Sequence, residues 1–376
     1  MKPKARLGPA LALAAVILSP SLCTAEQAKS QAPAESAISV ERSAGGAAQP
    51  VGQDLADRLK KAKSMKPPVL KGDVSVLRRS APLPKPKGFG TVTRKLGGDV
   101  STKPATEPVL RSLKKQSALP KPIRSSKPTF QGTIEPVKAG TAQVEKKVFG
   151  RDKRVRVQYT HEAPFRNFGL LLMKFPGSDS EASCSGTLIG KRHVLTAAHC
   201  LYDLERRTFA EEVTFFPGIK SPDDIPFGSY GAVEVSVLSG YADAPTRSYD
   251  FEHMLYDMGV VTLNANAGNR LGWLAFGYND NLPPFVANIV GYPADMPFAT
   301  MWRASCNVNP IDGYPQLFHQ RCDTYSGSSG SGMYDFDRAS RDRTIYGVNV
   351  AENDRFNVGV RITGPYFYWL QEETAR

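Results

Sequence analysis

The stretch Leu195-Thr-Ala-Ala-His199-Cys200 is the most informative part of this chain of 376 residues. Cys184-Ser-Gly-Thr-Leu precedes it by a short interval, and a bridge between Cys184 and Cys200 would hold two adjacent strands and fix the turn that carries His199. An imidazole can act as a general base only if its ring is oriented toward a nucleophile. A lone His beside a Cys is often a structural side chain, but the full string favours a chemical role for His199.

Short apolar runs with β-branched and aromatic residues surround this stretch, broken by Gly, Pro, Asn and Asp. They lie at 168–175, 186–189, 213–216, 232–238, 258–263, 285–291, 345–350 and 358–362. Strands at this spacing with little helical periodicity predict an antiparallel barrel or sandwich. The last segment, Pro365-Tyr-Phe-Tyr-Trp-Leu-Gln-Glu-Glu, instead predicts a terminal helix. The region 148–376 is long enough for two small barrels around a shared cleft.

A candidate nucleophile lies in Cys322-Asp-Thr-Tyr-Ser-Gly-Ser-Ser-Gly-Ser-Gly332. Ser329 stands there between Gly327 and Gly330, which let the backbone turn sharply so that the hydroxyl projects. The amides of Gly327 and Ser329 can then point at one spot, where the oxyanion that develops in acyl transfer would be held. Gly/Ser-rich loops are common, so the string alone is weak.

A carboxylate that could orient the imidazole is found in Tyr256-Asp257-Met-Gly-Val-Val-Thr-Leu263. Asp257 comes just before an apolar strand, so it can be buried at the start of that strand and accept a hydrogen bond from the ring. The alternative is a surface carboxylate that ends a loop. Asp250 is the rival for the same role, but no strand follows it, and we favour Asp257.

Chain order then excludes other hydrolase classes. The histidines are His161, His193, His199, His253 and His319. All five precede Ser329, whereas an α/β-hydrolase needs its His after its Ser. No His-Glu-x-x-His string occurs, so a zincin is excluded as well. The order His, Asp, Ser is that of chymotrypsin.

Residues 1–25 predict a secretory signal, with Lys2, Lys4 and Arg6 before a mostly apolar run that is too short to remain in a bilayer. Cys23 offers the alternative of a lipoprotein, but Pro20-Ser-Leu is a poor lead-in for lipidation. No later stretch approaches the apolar length of a membrane helix. We expect an exported protein that is then soluble, either secreted or periplasmic.

Residues 26–147 carry 13 prolines and many Ala, Ser and Lys, but no Tyr or Trp and only Phe89 and Phe130 as aromatic residues. Such a segment predicts a disordered basic pro-region, because it buries too little apolar surface to offset the entropy of ordering. A solvated linker is the alternative. The string Val76-Leu-Arg…Pro-Lys-Pro…Gly-Thr-Val recurs loosely as Val109-Leu-Arg…Pro-Lys-Pro…Gly-Thr-Ile.

The net charge of +12 belongs to this N-terminal third. Residues 26–150 hold 24 Lys and Arg against 10 Asp and Glu, whereas 151–376 hold 21 against 26. The basic segment could contact an anionic envelope, but the mildly acidic remainder argues against a nucleic-acid partner. Protein or peptide substrates and a monomer are expected.

Four cysteines remain once Cys23 is lost with the signal, namely Cys184, Cys200, Cys306 and Cys322. An even set in an exported protein suggests two disulfides, with three possible connectivities. No Cys-x-x-Cys pair and no His cluster at ligand spacing supports a zinc site. We therefore expect neither a metal nor a cofactor.

From Val148 onward the chain resembles the bacterial glutamyl endopeptidases of the chymotrypsin clan. The matching strings are Val148-Phe-Gly-Arg-Asp-Lys-Arg-Val-Arg-Val, Pro164-Phe-Arg, Cys184-Ser-Gly-Thr-Leu-Ile-Gly, Thr196-Ala-Ala-His-Cys and Cys322-Asp-Thr…Gly-Ser-Ser-Gly-Ser. The resemblance implies two antiparallel six-stranded β-barrels over 148–376, with a catalytic triad of His199, Asp257 and Ser329 between them. It also implies that Cys184 pairs with Cys200 and Cys306 with Cys322.

Two positions depart from the pattern of that family. Gly332 stands where Pro usually follows the nucleophile string. Asn349 stands where Glu-selective members place a His that receives the substrate carboxylate, while Thr324 matches their other ligand in the specificity pocket. An amide can hydrogen-bond a carboxylate but supplies no charge, so Glu selectivity is not implied. Asp323 could instead select Lys or Arg, or it could be structural.

The activity that follows is that of a secreted serine endopeptidase made as a zymogen. Ser328 precedes the nucleophile where pancreatic enzymes have Asp, so we expect a different activation. Cleavage at Lys146-Lys147 or Glu145 would release a chain that starts near Val148. Two other classes stay open: a catalytically idle, envelope-binding protein of the same fold, and an esterase on this scaffold.

Overall fold

The computed structural model describes residues 48–68, 85–118, 148–311, 314–352 and 356–376. The predicted signal at 1–25 lies outside these ranges, as does the stretch Glu145 to Lys147 where we expect cleavage. Within the described ranges, no helix has both the length and the apolar character needed to cross a membrane.

Most of the described residues belong to strands. These are β1 Lys63–Ser64, β2 Thr91–Lys95, β3 Val100–Lys103, β4 Val155–Arg156, β5 Phe168–Lys174, β6 Ala182–Leu188, β7 His193–Thr196, β8 Tyr202–Asp203, β9 Thr208–Phe209, β10 Glu212–Pro217, β11 Tyr230–Leu238, β12 Gly259–Leu263, β13 Ala275–Phe276, β14 Phe285–Gly291, β15 Trp302–Ile311, β16 Tyr314–Gln320, β17 Gly332–Phe336, β18 Arg343–Glu352 and β19 Asn357–Arg361. The α-helices are Gln53–Lys61, Glu107–Ala118, Ser239–Ala242, Phe251–Leu255, Ala267–Leu271 and Gly364–Thr374.

The first barrel is the antiparallel sheet β10-β5-β6-β7-β12-β11, which closes because β10 also pairs with β11. Strands β5, β7 and β12 are buried along nearly their whole length, since their apolar side chains fill the barrel on one face and meet covering elements on the other. The sequence marked β5 and β12 as strands in the runs 168–175 and 258–263, whereas β7 was not among the predicted runs. The pairing with β10 involves only Tyr230 and Gly231 of β11, so the rest of β11 keeps an edge to which another strand can pair.

The second barrel is the ring β18-β17-β14-β15-β16-β19, closed by the pairing of β18 with β19. The predicted terminal helix is present at Gly364–Thr374, with Tyr366, Trp369 and Leu370 buried. The prediction of two six-stranded barrels with a C-terminal helix is confirmed.

Part of the segment expected to be disordered is folded onto the first barrel. β2 pairs antiparallel with β11, from Thr91 opposite Leu238 to Lys95 opposite Glu234, and β3 pairs with β2. Phe89 is 1% exposed. Residues 85–118 thus form ordered structure against the first barrel within a segment that we expected to be disordered by itself, because β2 pairs with the edge of β11 and apolar side chains are buried there.

The helix Glu107–Ala118 completes this N-terminal layer. It packs against the C-terminal helix, and Val109 on it is fully buried. The Trp369 indole N–H donates to Thr91 Oγ1 at 2.8 Å, which ties the C-terminal helix to β2. The boundary at 148 between pro-region and enzyme domain thus stays a prediction, while the packing crosses it.

Candidate active site

The loop before β17 is shaped by two glycines in the left-handed region. Gly327 has φ +91° and Gly330 has φ +83°, values that cost an L side chain free energy. A Cβ on Gly330 would lie 2.1 Å from Thr196 Oγ1 and 2.3 Å from the Ser185 carbonyl oxygen. Glycine is therefore required for the loop with Ser329 to lie directly against strands of the first barrel.

Main-chain hydrogen bonds hold Ser329 at the seam between the two barrels. Its carbonyl accepts from the N–H of Ser185 on β6 at 2.9 Å. The N–H of Gly330 donates to the carbonyl of Asn349 on β18, also at 2.9 Å. The Gly332 N–H donates to a side-chain hydroxyl of β6 at 3.2 Å, a bond that the usual Pro would lack.

The pairing of β7 with β12 places His199 beside Asp257. Thr196 lies opposite Gly259, so the 3-10 turn Ala198–Cys200 that follows β7 lies beside Asp257, two residues before the start of β12. His199 Nδ1 is 2.7 Å from Asp257 Oδ2, and the His199 backbone N–H donates to Oδ1 at 2.9 Å. A carboxylate on Nδ1 fixes the ring orientation and the tautomer with its proton at Nδ1.

Ser329 and His199 lie in neighbouring segments. A Cβ on Gly330 would be 3.1 Å from the nitrogen of Ala197, two residues before His199. Ser329 Oγ and His199 Nε2 are both buried, and neither forms a hydrogen bond with the described residues. These are the two atoms between which a proton would move in nucleophilic catalysis.

Tyr249 is a third partner of Asp257 that sequence reasoning missed. Its hydroxyl donates to Asp257 Oδ2 at 2.9 Å, and its ring lies edge-on to the imidazole of His199. Burial, reinforced by the charge of Asp257, raises the pKa of Tyr249 well above its usual 10, so the phenol stays a donor. No spacing rule links the two residues along the chain.

The rival carboxylate Asp250 has a different task. It caps the helix Phe251–Leu255, accepting from the His253 backbone N–H at 3.0 Å and contacting His253 Nδ1 at 2.7 Å. The preference for Asp257 over Asp250 as the partner of His199 therefore agrees with the hydrogen bonds.

The two disulfides are Cys184–Cys200 and Cys306–Cys322, the connectivity that the resemblance implied. The first joins β6 to the turn that carries His199, so this turn is fixed by a covalent bond as well as by strand pairing.

One of the two amides expected to bind the oxyanion already has a hydrogen-bond partner within the chain. The Gly327 N–H donates to the backbone carbonyl of Met65 at 3.2 Å. Met65 belongs to the N-terminal segment for which the sequence predicted disorder. No motif marked it as a neighbour of the active site.

Two residues predicted to bind substrate are engaged within the chain. The Asn349 side chain accepts from Gln320 Nε2 at 3.0 Å and donates to the Ser328 carbonyl at 3.3 Å. The Thr324 hydroxyl accepts from Asn357 Nδ2 at 2.7 Å. Both side chains are buried beside the loop that carries Ser329. Their polar groups are hydrogen-bonded within the chain.

Asp323 holds the segment that begins the predicted enzyme domain. Its Oδ1 accepts from the Phe149 N–H and its Oδ2 from the Lys153 N–H, both at 2.9 Å. With each carboxylate oxygen bound to a backbone amide, the geometry favours the structural alternative over the selection of a basic substrate side chain.

The chain matches the description "Trypsin-like peptidase domain" over residues 184–339. It is 30% identical over 232 residues to a glutamyl endopeptidase of Bacillus licheniformis, an alignment that covers 59% of this chain and 67% of that protein. A solved structure of a Glu endopeptidase in complex with MPD superposes with a TM-score of 0.52 at 29% identity, covering 61% of this chain and 100% of the other.

A further relative, 26% identical over 255 residues and covering 66% of this chain and 78% of its own length, is named an extracellular metalloprotease of Bacillus subtilis. Among the described residues, Cys184, His199 and Cys200 form the group whose donor atoms lie close enough to hold a metal. Its two sulfurs are bonded to each other, and His199 Nδ1 faces Asp257. This donor set does not fit a metal ion.

Proposed function

The chain belongs to the glutamyl-endopeptidase-like serine proteases of the chymotrypsin clan and is a serine endopeptidase, and on this premise we propose that Ser329, His199 and Asp257 are its catalytic triad. The carrying observation is the contact of His199 Nδ1 with the fully buried Asp257 at 2.7 Å. Nε2 on the other side of the ring has no structural partner among the described residues, so it is free to serve a nucleophile.

In the proposed reaction, Ser329 Oγ bonds to the carbonyl carbon of the scissile peptide while His199 Nε2 takes the hydroxyl proton. The amides of Gly327 and Ser329 stabilise the oxyanion. The C–N bond then breaks as His199 returns the proton to the leaving amine. Water, activated by the same imidazole, hydrolyses the acyl-enzyme and restores Ser329.

A serine-reactive fluorophosphonate tests the nucleophile. Labelling and peptide hydrolysis should both be lost in Ser329→Ala, with a fall in kcat of about 10³-fold or more. Ser331→Ala is the matched control, since its Oγ lies in the same loop, is buried and has no hydrogen bond in the described part of the chain. Equal labelling of Ser329→Ala and the wild type would refute the assignment of Ser329, whereas failure of the mature wild-type protein to be labelled would favour the idle-protein alternative.

Peptide and simple ester substrates separate the two hydrolase alternatives. We expect hydrolysis of peptides that span the cleft, because both barrels border it. A mixed peptide library would report which residue is preferred directly before the scissile bond. Asn349 does not identify that residue, because its side chain is hydrogen-bonded within the chain. Hydrolysis of esters alone would identify an esterase.

Maturation and export are further parts of the proposal. We infer a secreted enzyme whose residues 26–147 form a pro-region, with cleavage near Val148. N-terminal sequencing of the secreted protein tests this, and a start within residues 26–100 would contradict it.

A further inference from the structure

A stretch far before the catalytic residues lies along the candidate active site. We call residues 63–68 the cleft segment. Its first two residues form β1, which runs parallel to the start of β6 with Lys63 opposite Ala182. The Met65 N–H donates to the carbonyl of Ser183 at 2.8 Å. The segment therefore adds a short strand to the first barrel, directly before Cys184.

The same segment also bonds to the second barrel. The Met65 carbonyl accepts from the Gly327 N–H at 3.2 Å, and the Pro68 carbonyl accepts from the Glu352 N–H at 3.3 Å. Glu352 ends β18, the strand that carries Asn349. Within six residues the cleft segment thus bonds to both barrels, crossing the seam at which His199 and Ser329 lie.

Side chains of the segment fill the space on both sides of that seam. The position of a Cβ on Gly327 is 3.0 Å from Ser64 Oγ, and Ser64 Oγ accepts from Ser183 Oγ at 3.2 Å. Met65 Sδ lies 3.9 Å from Cys184 Sγ, in the disulfide that fixes the turn of His199. Peptide substrates would need this space.

The helix Gln53–Lys61 anchors the segment to the first barrel. Leu59 on this helix is fully buried. The Arg58 guanidinium donates to Glu181 through Nε at 3.1 Å and to Glu212 through Nη2 at 2.6 Å. The Glu181 side chain is only 10% exposed, so this ion pair is partly desolvated and stronger than a surface pair.

We propose that residues 53–68 are an intramolecular inhibitor, and that the active-site cleft is its binding site. The proposal rests on the triad proposed above. The carbonyl of Met65 occupies the Gly327 amide, which the oxyanion of a substrate needs, and the backbone of the segment covers the cleft. Because the inhibitor is part of the chain, its effective concentration is of millimolar order, so weak contacts are enough to keep the cleft closed.

Fluorophosphonate labelling of the unprocessed chain tests inhibition. Met65→Pro removes the N–H that binds Ser183, and Met65→Leu is its control because it keeps that N–H. Arg58→Gln removes the partly desolvated ion pair, and Lys60→Gln is its control because Lys60 pairs with the exposed Asp223. We expect labelling of Ser329 about tenfold faster in Met65→Pro and in Arg58→Gln. Both controls should stay within twofold of wild type, with mass spectrometry showing intact chains.

Hydrogen exchange in a Ser329→Ala host reports the same contact without catalysis. The amides of Met65 and Gly327 should exchange slowly in the host. Arg58→Gln should speed exchange at both positions, whereas Lys60→Gln should not. Barrel amides such as those of β12 serve as the check that each variant is folded.

The two readouts separate the two proposals. Equal labelling of all intact variants together with unchanged exchange would overturn the inhibitor while leaving the triad in place. Altered exchange without labelling of any variant would overturn the triad and leave the contact standing. Activation by cleavage directly after Met65 would show that the segment is held as a substrate, which would also overturn the inhibitor.

Discussion

At the scale of single residues, the arrangement around Asp257 shows how hydrogen-bond donors surround a buried carboxylate. It accepts from the His199 ring, from the His199 backbone N–H and from the Tyr249 hydroxyl. A carboxylate removed from water needs such donors, since each replaces a lost hydration contact. Tyr249 is thus a positioning residue that acts on His199 through Asp257.

We expect Tyr249→Phe to lower kcat about tenfold while KM changes little, because the hydroxyl acts on the orientation of Asp257 and His199 and touches no substrate. Steady-state kinetics on a peptide substrate measures the split. The melting temperature should fall by only a few degrees. A rise in KM with unchanged kcat would contradict the positioning role.

Gly330 is the second residue whose identity the site demands. Gly330→Ala should abolish activity and lower the free energy of unfolding by about 3 kcal/mol or more, from positive φ plus the collision with Thr196 and Ser185. Gly97→Ala is the matched control: its φ is +78° and nothing lies within 4 Å of the added Cβ.

Denaturant unfolding of both variants separates the free energy lost to the steric collision from the free energy lost to positive φ. The control should cost about 1–2 kcal/mol, the conformational part alone. Equal losses for the two variants would mean that the loop with Ser329 can move away from the first barrel without penalty.

At the scale of secondary-structure elements, β7 carries a buried histidine with no catalytic role. Both ring nitrogens of His193 lack a hydrogen bond within the described ranges. Burial, followed by the charges of Arg192 and Arg376, lowers the pKa of His193 from 6.5 to about 4. The unfolded chain therefore binds more protons than the folded one between these two values, and stability falls as the pH drops from 6.5 toward 4.

His193→Leu should remove this loss. Between pH 8 and pH 5 the wild type should lose about 1–2 kcal/mol more stability than the variant. Chemical denaturation at the two pH values gives the comparison. Parallel pH profiles for His193→Leu and the wild type would contradict the burial argument.

At the scale of the whole molecule, the N-terminal layer and the barrels fold as partners. β2 pairs with β11 over five residues, and Phe89, Val92 and Val109 of the N-terminal layer are buried. Cleavage near Val148 breaks a covalent link but none of these contacts. The piece before the cut also carries the cleft segment, so cleavage there alone leaves the cleft occupied.

We predict that the pieces on either side of a cut near Val148 stay together in native mass spectrometry and separate in denaturant. Val92→Asp should release the N-terminal piece and raise peptidase activity at the same time, since Val92 is buried on β2. Val100→Asp on β3 is the control, because Val100 is 52% exposed. Wild-type pieces that separate without denaturant would contradict this prediction.

The sequence alone determined the fold class and the candidates for chemistry. Runs such as 168–175 and 258–263 mark strands because a short apolar run bounded by turn residues is a local property of the chain. The string around His199 is specific by itself, whereas the Gly/Ser string around Ser329 became a candidate only together with His199 and Asp257. Chain order then excluded the competing hydrolase classes without any coordinates.

Only the tertiary structure decided which distant groups meet at the site. Tyr249 reaches Asp257 because a helix cap and a loop fold back onto β12, and no periodicity records that. Met65 contacts Cys184, which is 119 residues away in the sequence. Met65 belongs to an N-terminal segment whose composition does not favour an ordered structure by itself. Such a segment becomes ordered only where another part of the chain provides strand edges and apolar surface, and here the two barrels provide both.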